Sequence, residues 1–368
     1  MEIVVEEIKE KKEVIELVER KGTGHPDTLC DSLCEEASKA LSKYYLKHFG
    51  KVLHHNVDKG LLVAGSSKVK FAGGKTLKPA EIIIAGRATA KIGKHVVPVK
   101  TIITQAVKDY LKQFSLAKFK IIVDVKPGAT NLVEAFKKKI PVANDTSFGV
   151  SHFPHSALES LVLEVGNLID SESFRKTYPA VGRDFKVMGF RHGEKIVLTI
   201  AIAFISKFVK DMQHYKEMKE KIISEIHQRF KVEACLNMLD NYEDASSIYL
   251  TVSGLSAEQG DDGQVGRGNR YNNLITPNRP MSLEALAGKN VNHPGKLYQI
   301  MAYKIAKDVY EKTKANYVEV KMLTQIGKPL SEPQVVSLRI EGDVSKAEQI
   351  VRENLKNIEK IQKEIIFS

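Results

Sequence analysis

Apolar and polar residues alternate along the chain with two different periods. Between residues 26 and 48 apolar residues recur at three- and four-residue steps, which predicts an amphipathic helix. Further helices are predicted at 101–114, 156–169, 212–230, 296–313 and 344–361. Runs rich in β-branched residues predict strands at 81–85, 119–125, 196–205 and 248–252. This mixture is typical of an α+β protein whose sheets are covered on one face by helices.

The composition is that of an ordinary globular protein. Hydrophobic residues make up 43% of the 368 positions and charged residues 27%, which excludes a disordered chain. The mass of 41.1 kDa exceeds that of a usual single core, so two or three compact units are expected. No apolar run reaches the ~20 residues of a membrane span, and the N-terminus is acidic where a signal peptide would be basic. With only three cysteines, we expect a cytoplasmic protein that has no membrane partner.

The net charge of +11 has two interpretations. It can indicate a polyanionic partner, either nucleic acid or a phosphate-rich small molecule, or it can be a lysine-rich solvated surface. The chain has no Trp, and its Tyr and Phe residues do not interleave with the basic runs as a platform for single strands requires. We therefore expect no nucleic-acid partner, although charge alone does not decide the question.

Four polar, glycine-containing stretches lie between predicted strands and helices, where ligand loops usually occur. They are residues 22–27, 144–149, 260–270 and 288–296. In the first, Pro26 suits the first turn of a helix, so His25 would lie at a helix N-terminus whose free N–H groups favour phosphate.

Three carboxylates follow on one stripe of that helix, because Asp27, Asp31 and Glu35 recur at four-residue steps. Like charges at this spacing repel, so a cation near the start of the stripe would explain it. Mg²⁺ typically takes one or two carboxylates and completes its shell with water and substrate phosphates. The alternative is a solvated acidic first turn.

Two cysteines, Cys30 and Cys34, also lie four residues apart on this helix. They could share a metal, but no second Cys or His pair has matching spacing. We expect them to pack with Leu33 and Ala37 in the core.

The stretch 260–270 is the most informative local feature. Its four glycines allow a close approach of backbone to a ligand, and Arg267 and Arg270 can make forked contacts with phosphate. Asp261 and Asp262 could hold a metal or a ligand amine or hydroxyl. The spacing is neither that of a Walker loop nor that of a dinucleotide fingerprint. A structural turn remains the alternative.

Two lysines downstream, Lys289 and Lys296, add positive charge to this set. Together the loops indicate a metal, a polyphosphate and a polar small molecule.

At these residues the chain resembles the S-adenosylmethionine synthetase (methionine adenosyltransferase) family of the archaeal type. The match covers nearly the whole chain in the expected order, and the string Gly-Asp-Asp-Gly-Gln-Val-Gly-Arg-Gly-Asn-Arg at 260–270 is very specific. The matching stretches are residues 19–27, 54–59, 143–150, 256–270, 274–277, 279–282, 288–290 and 325–329.

The resemblance implies three interleaved sheet-plus-helix units related by pseudo-threefold symmetry, with sheets packing at a dimer interface. The units would comprise residues 1–22 with 154–254, 23–118 with 255–298, and 119–153 with 299–368. It implies a homodimer with active sites between subunits and leaves a larger assembly open.

The implied reaction transfers the adenosyl group of ATP to the sulfur of L-methionine by displacing triphosphate, which is then cleaved to pyrophosphate and phosphate. The implied cofactors are Mg²⁺ and K⁺. By resemblance, the roles are His25 at the ribose 5′ oxygen, Asp27 and Asp31 at the metal, Arg267, Lys289 and Lys296 on the phosphates, Asp145 on the methionine side, and Asp261, Asp262, Arg270 and Lys59 in substrate binding.

Several departures from the family pattern, among them the residues at 154–159, leave a slower enzyme or one of altered specificity open. The stretch 288–296 is one residue short, which affects the direction in which the Lys296 side chain points. Asn131 stands where an aspartate is usual.

Two other classes of protein remain as alternatives. One is a different ATP-dependent transferase or phosphatase with the same phosphate loops, which would turn over ATP without methionine. The other is a basic nucleic-acid binder, whose binding would collapse as salt rises.

Overall fold

The computed structural model describes residues 1–9, 13–128, 142–143, 145–266, 272–282 and 284–367. The helices are α1 (Pro26–Phe49), α2 (Val99–Leu111), α3 (Ala157–Asp170), α4 (Glu172–Thr177), α5 (Met212–Phe230), α6 (Pro294–Lys312), α7 (Ala347–Lys356) and α8 (Ile358–Phe367). The strands are β1 (Glu2–Glu7), β2 (Ile15–Lys21), β3 (His55–Val63), β4 (Ser66–Lys70), β5 (Gly73–Lys78), β6 (Ala80–Ala88), β7 (Lys91–Ile92), β8 (His95–Val96), β9 (Phe119–Pro127), β10 (Phe148–Phe153), β11 (Val181–His192), β12 (Lys195–Ile205), β13 (Glu233–Leu236), β14 (Leu250–Thr251), β15 (Gly263–Gln264), β16 (Tyr317–Leu323) and β17 (Val335–Glu341).

Three larger sheets organise these elements, and the predicted α+β class is confirmed. The first sheet has the order β1-β17-β16-β10, the second β13-β12-β11-β2 with β14 beside β12, and the third β15-β3-β6-β9. Each sheet has its own apolar core. Helices α6, α7 and α8 cover the first sheet, α3 and α5 the second, and α1 and α2 the third.

Strand pairing differs from the predicted grouping of segments at two places. Strand β1, which the resemblance groups with 154–254, pairs in parallel with β17, and its Ile3 and Val5 pack on the core of the first sheet. Strand β9, which the resemblance groups with 299–368, pairs in parallel with β6, and its Val123 is buried in the third core. A strand joins the sheet where its apolar side chains are buried, and local alternation does not specify which sheet that is. The remaining unit boundaries stay a prediction.

Several predicted elements have different ends in the structure. The helix predicted at 344–361 is divided at Asn357, whose N–H donates to the Asn354 carbonyl and ends α7. The strand predicted at 248–252 is reduced to β14. The helices predicted at 26–48 and 212–230 are confirmed as α1 and α5.

The two cysteines of α1 are core residues, as predicted. Cys30 and Cys34 are buried with Leu33 and Ala37 in the third core, and burial raises the pKa of both thiols. None of the helices within the described ranges is long and apolar enough to cross a membrane.

Candidate active site

His25 caps the N-terminus of α1 as a neutral ring with a defined tautomer. Its Nδ1 accepts the N–H of Asp27 at 3.3 Å, so the proton of the neutral ring lies on Nε2. Burial and the nearby Lys21 lower the pKa of His25 to about 4, although Asp27 and Asp261 act in the opposite direction. At neutral pH His25 therefore offers an N–H donor at Nε2 and carries no charge.

The backbone amides around His25 are not a free phosphate cradle, so that prediction is wrong for these positions. The amides of Gly24 and His25 donate to the carbonyl oxygens of Arg183 and Gly22, at 2.9 and 3.1 Å. The amide of Asp27 is used by the His25 ring. A Cβ at Gly24 would lie 2.8 Å from the Arg183 carbonyl carbon, so this glycine allows the loop to lie against β11.

The acidic stripe of α1 binds the backbone of two glycine-containing loops. Each of its three carboxylates accepts one backbone N–H. The pairs are Asp27 Oδ1 with Gln264 at 3.0 Å, Asp31 Oδ1 with Gly266 at 2.7 Å, and Glu35 Oε2 with Gly288 at 3.1 Å. The stripe is therefore not a solvated acidic face. Its carboxylates fix the loops against the helix.

Two lysines that the sequence analysis missed lie at the His25 end of the stripe. Lys21 Nζ donates to Asp27 Oδ2 at 2.8 Å, and Lys186 lies opposite Lys21 in the register of β2 with β11. The Lys186 side chain is 41% exposed and pairs with Glu19 at 2.9 Å. Lys21 belongs to the matched stretch 19–27, but Lys186 is in no motif, so only strand pairing reveals it.

Asp261 is linked to two buried residues, Asp184 and Ser256, by contacts that the sequence did not indicate. The Ser256 Oγ lies 2.9 Å from Asp261 Oδ2 and also contacts Oδ2 of Asp184. Burial raises the pKa of Asp184 to about 7, and the charges of Asp261 and Asp27 add to that shift.

The predicted phosphate lysines lie at the other end of the stripe, where both ammonium groups are buried and form ion pairs. Lys296 is 1% exposed, and its Nζ lies 2.8 and 2.6 Å from the two carboxylate oxygens of Glu35. Burial lowers the pKa of Lys296, and Glu35 opposes the shift. Lys289 Nζ lies 2.6 Å from Asp58 and 3.4 Å from Glu284. The phosphate-binding role of both lysines stays a prediction.

Asp145 lies beside this second group. Its Oδ2 is 3.4 Å from Nε2 of His293, which caps α6 by accepting the Gly295 N–H at Nδ1. Burial and Lys289 lower the pKa of His293 to about 4, so Nε2 of the neutral ring carries the proton and faces the carboxylate.

The remaining predicted substrate residues lie on the edge of the third sheet. Lys59 is 70% exposed and pairs with Asp58 at 2.7 Å. Asp262 Oδ1 accepts the Ala64 N–H at 2.8 Å and so holds the turn after β3. Arg267 and Arg270 lie outside the described residues, as does Asn131.

One chain thus contains two polar groups of residues, which we call the His25 cluster (Lys21, His25, Asp27, Lys186 and Asp261) and the Lys289 cluster (Glu35, Asp58, Asp145, Lys289, His293 and Lys296). Asp27 of the first cluster and Glu35 of the second both lie on α1. They are eight residues apart, which is about 12 Å along the helix axis. A cavity of about 880 Å³ lies between α7, α8 and Leu330, and no residue of either cluster lines it.

The oxygen donors at Asp27 and Asp31 fit Mg²⁺, a hard cation that prefers carboxylate and water ligands. Burial acts to raise the pKa of Asp27, but the hydrogen bonds from Lys21 and the Gln264 amide leave it below its usual value. Asp27 is therefore ionised, as a metal ligand must be. Over the described ranges, no group of three or more His, Cys, Asp or Glu side chains is arranged to hold a metal.

Comparison with known proteins gives end-to-end similarity. Residues 1–368 match the family model of S-adenosylmethionine synthetase (AdoMet synthetase). The S-adenosylmethionine synthase of Hyperthermus butylicus is 45% identical, and the alignment covers 98% of this chain and 94% of that protein. The S-adenosylmethionine synthase of Methanocaldococcus jannaschii is 44% identical, and the alignment covers 98% of this chain and 96% of that protein. The S-adenosylmethionine synthase of Sulfolobus acidocaldarius is 45% identical, and the alignment covers 89% of this chain and 86% of that protein.

Proposed function

Because the chain belongs to the S-adenosylmethionine synthetase family, we propose a two-step reaction at a site that includes the His25 cluster. The enzyme is a methionine adenosyltransferase, which forms S-adenosylmethionine from ATP and methionine. In the proposed first step the methionine sulfur attacks the ribose 5′ carbon and the whole triphosphate leaves. In the second step water cleaves the triphosphate to pyrophosphate and phosphate.

The tautomer of His25 is the observation that carries this proposal. A thioether sulfur is a neutral nucleophile with no proton to lose, so the first step needs no general base. Its difficulty is the negative charge that develops on the 5′ oxygen. A preorganised donor aimed at that oxygen stabilises the transition state, and the neutral ring of His25 offers its Nε2–H for this role.

The charges of the His25 cluster suit a bound triphosphate. Lys21 and Lys186 supply cations near His25, and Asp27 with Asp31 would hold Mg²⁺. When bound, the metal neutralises charge on the phosphate oxygens. We propose K⁺ as a second cofactor from the family resemblance alone, and we assign no residue to it.

The two clusters of one chain support an active site that is shared between subunits. We propose a homodimer in which the Lys289 cluster of one subunit completes the site around His25 of the other, so that Asp145 reaches methionine there. The interleaved units would be related by pseudo-threefold symmetry.

Exposed apolar residues on all three sheets support the dimer. On each strand they alternate with buried or partly buried residues, so they lie on the face that is turned away from the helices. They are Val4, Phe148 and Leu323 on the first sheet, Ile15, Leu17 and Phe190 on the second, and Leu61 and Val63 on the third. Apolar faces of this kind are typical of protein interfaces.

The reaction is tested by incubating the purified protein with ATP, methionine, Mg²⁺ and K⁺. We expect S-adenosylmethionine, detected by mass, together with equal amounts of pyrophosphate and phosphate. Accumulation of triphosphate would refute the second step alone. ATP cleavage that does not depend on methionine would favour a different transferase or phosphatase and would overturn the proposed function.

The shared site is tested by mixing two inactive variants, His25→Ala and Asp145→Ala, after mild dissociation. Random pairing makes about half of the dimers mixed, and in each mixed dimer one site carries both lesions while the other carries neither. Activity should therefore recover to about a quarter of wild type.

A matched mixture controls for nonspecific rescue. His25→Ala mixed with Asp261→Ala should show no activity beyond the average of the two separate variants, because both residues belong to the His25 cluster and every site keeps a lesion. If subunits exchange and the first mixture also stays inactive, the shared site is refuted.

A further inference from the structure

One serine hydroxyl lies between two aspartate side chains. Ser256 Oγ contacts Oδ2 of Asp184 and lies 2.9 Å from Oδ2 of Asp261. A hydroxyl has a single proton, and an ionised carboxylate can only accept. Both contacts can therefore be hydrogen bonds only when one of the two carboxyl groups is protonated and donates to Oγ.

We propose that Asp184 and Asp261 share one proton across Ser256, and that this proton holds Asp261 in the position that binds substrate. Asp184 and Ser256 are then positioning residues, since neither needs to touch the substrate. The inference rests on the proposed function for the role of Asp261, but the shared proton itself can be tested without any activity.

The surroundings of Asp184 favour retention of a proton. The side chain is buried, and its Oδ2 also accepts the Ser256 N–H at 2.7 Å. Burial raises its pKa to about 7, with further upward contributions from Asp261 and Asp27. The other titratable or charged groups around the pair are Tyr249 and His25 with its neighbours Lys21 and Lys186. Burial and both aspartates raise the pKa of Tyr249, and its hydrogen bond with the Ser256 side chain acts in the opposite direction.

Loss of the proton should release Asp261 rather than Asp184. Above neutral pH two negative carboxylates would face one hydroxyl, so one contact would lack a hydrogen. Asp184 is fixed by the Ser256 amide, whereas Asp261 is exposed and follows Gly260, which has a φ of +92° and would have no atom within 4 Å of an added Cβ. Asp261 lies close enough to His25 to act on its pKa, so ATP binding is the property that should weaken.

Infrared spectroscopy of the substrate-free protein tests the proton directly. The wild type should show a protonated-carboxyl band at pH 6 that disappears by about pH 9. Asp184→Asn should lack this band, because the remaining Asp261 has no second carboxylate to share a proton with. Asp170→Asn is the matched control, since Asp170 is a second, partly buried aspartate whose burial raises its pKa. A band of undiminished intensity in Asp184→Asn would overturn the proposal, whether or not the protein makes S-adenosylmethionine.

Kinetics test the consequence for Asp261. The KM for ATP of the wild type should rise roughly tenfold between pH 6 and 9, the cost of one hydrogen bond to a charged group, with a smaller change in kcat. Asp184→Asn should remove the rise, and Asp170→Asn should retain it.

Ser256→Ala provides a second variant, which keeps the test decisive if Asp184→Asn does not fold. It removes both contacts, so its KM for ATP should already be raised at pH 6. An unchanged KM in Ser256→Ala, or an unchanged alkaline rise in Asp184→Asn, would refute the positioning role.

Discussion

His25→Ala should lower the turnover of adenosyl transfer by roughly 10²–10³, the usual cost of losing one preorganised donor. The reason is that the Nε2–H of the neutral ring is lost at the oxygen where charge develops. Hydrolysis of added triphosphate should change much less, because that step leaves the 5′ oxygen untouched. The two half-reactions are measured separately, with ATP plus methionine and with triphosphate.

His25→Ala also removes the side chain that caps the N-terminus of α1, so a control is needed. His25→Asn keeps a side-chain oxygen that can accept the Asp27 N–H, but its amide nitrogen does not reach the position of Nε2. It should regain the stability of the cap, about 1 kcal/mol, without regaining transfer. Equal losses in both half-reactions would refute the assigned role of His25.

The lowered pKa of His25 also predicts how folding stability depends on pH. Because the unfolded histidine binds a proton below about pH 6.5 and the folded one only below about 4, this residue should reduce stability as pH falls through that window. The free energy of unfolding of His25→Asn, measured in urea at several pH values, should lack this decrease.

Glu35→Ala should lower the free energy of unfolding by about 3 kcal/mol, the lower end of the range for removing one partner of a buried ion pair, because Glu35 is itself 20% exposed. Both carboxylate oxygens of Glu35 bind the Lys296 ammonium, and Lys296 is 1% exposed. Without Glu35 that charge would be buried with no counterion. Urea unfolding at pH 7 measures the loss.

Two variants show whether the loss comes from the unpaired charge. Glu36→Ala removes the neighbouring carboxylate, which is 38% exposed and pairs with Lys39, and should cost less than ~1 kcal/mol. The double variant Glu35→Ala with Lys296→Met should recover much of the stability, because neither charge remains.

The pH dependence of Glu35→Ala has a defined sign. Burial lowers the pKa of Lys296, and removal of Glu35 lowers it further, so the unfolded lysine binds more protons than the folded one. The stability of the variant relative to wild type should therefore rise as pH increases from 7 towards 10. An unfolding midpoint that equals wild type at pH 7 would contradict the role of this pair.

The sequence by itself determined the features that depend on neighbouring residues. The three- and four-residue steps of apolar positions identified α1 and α5, and the same periodicity placed Cys30 and Cys34 in the core. The glycine-containing loops identified the family, because a match of many residues in a fixed order can be recognised without knowing which residues are in contact.

Only the tertiary structure decided which of these residues meet. Glu35 and Lys296 are separated by 261 positions, and Asp58 and Lys289 by 231, so no local period relates them. The sequence predicts both lysines as available cations, whereas the packing of the 288–296 loop on α1 and β3 buries each of them beside a carboxylate partner. The contact of Ser256 with Asp184 likewise joins positions 72 apart. Periodicity reports the face on which a side chain lies, but the partner on that face depends on how distant segments pack, and this determines both the charge state and the chemistry of the site.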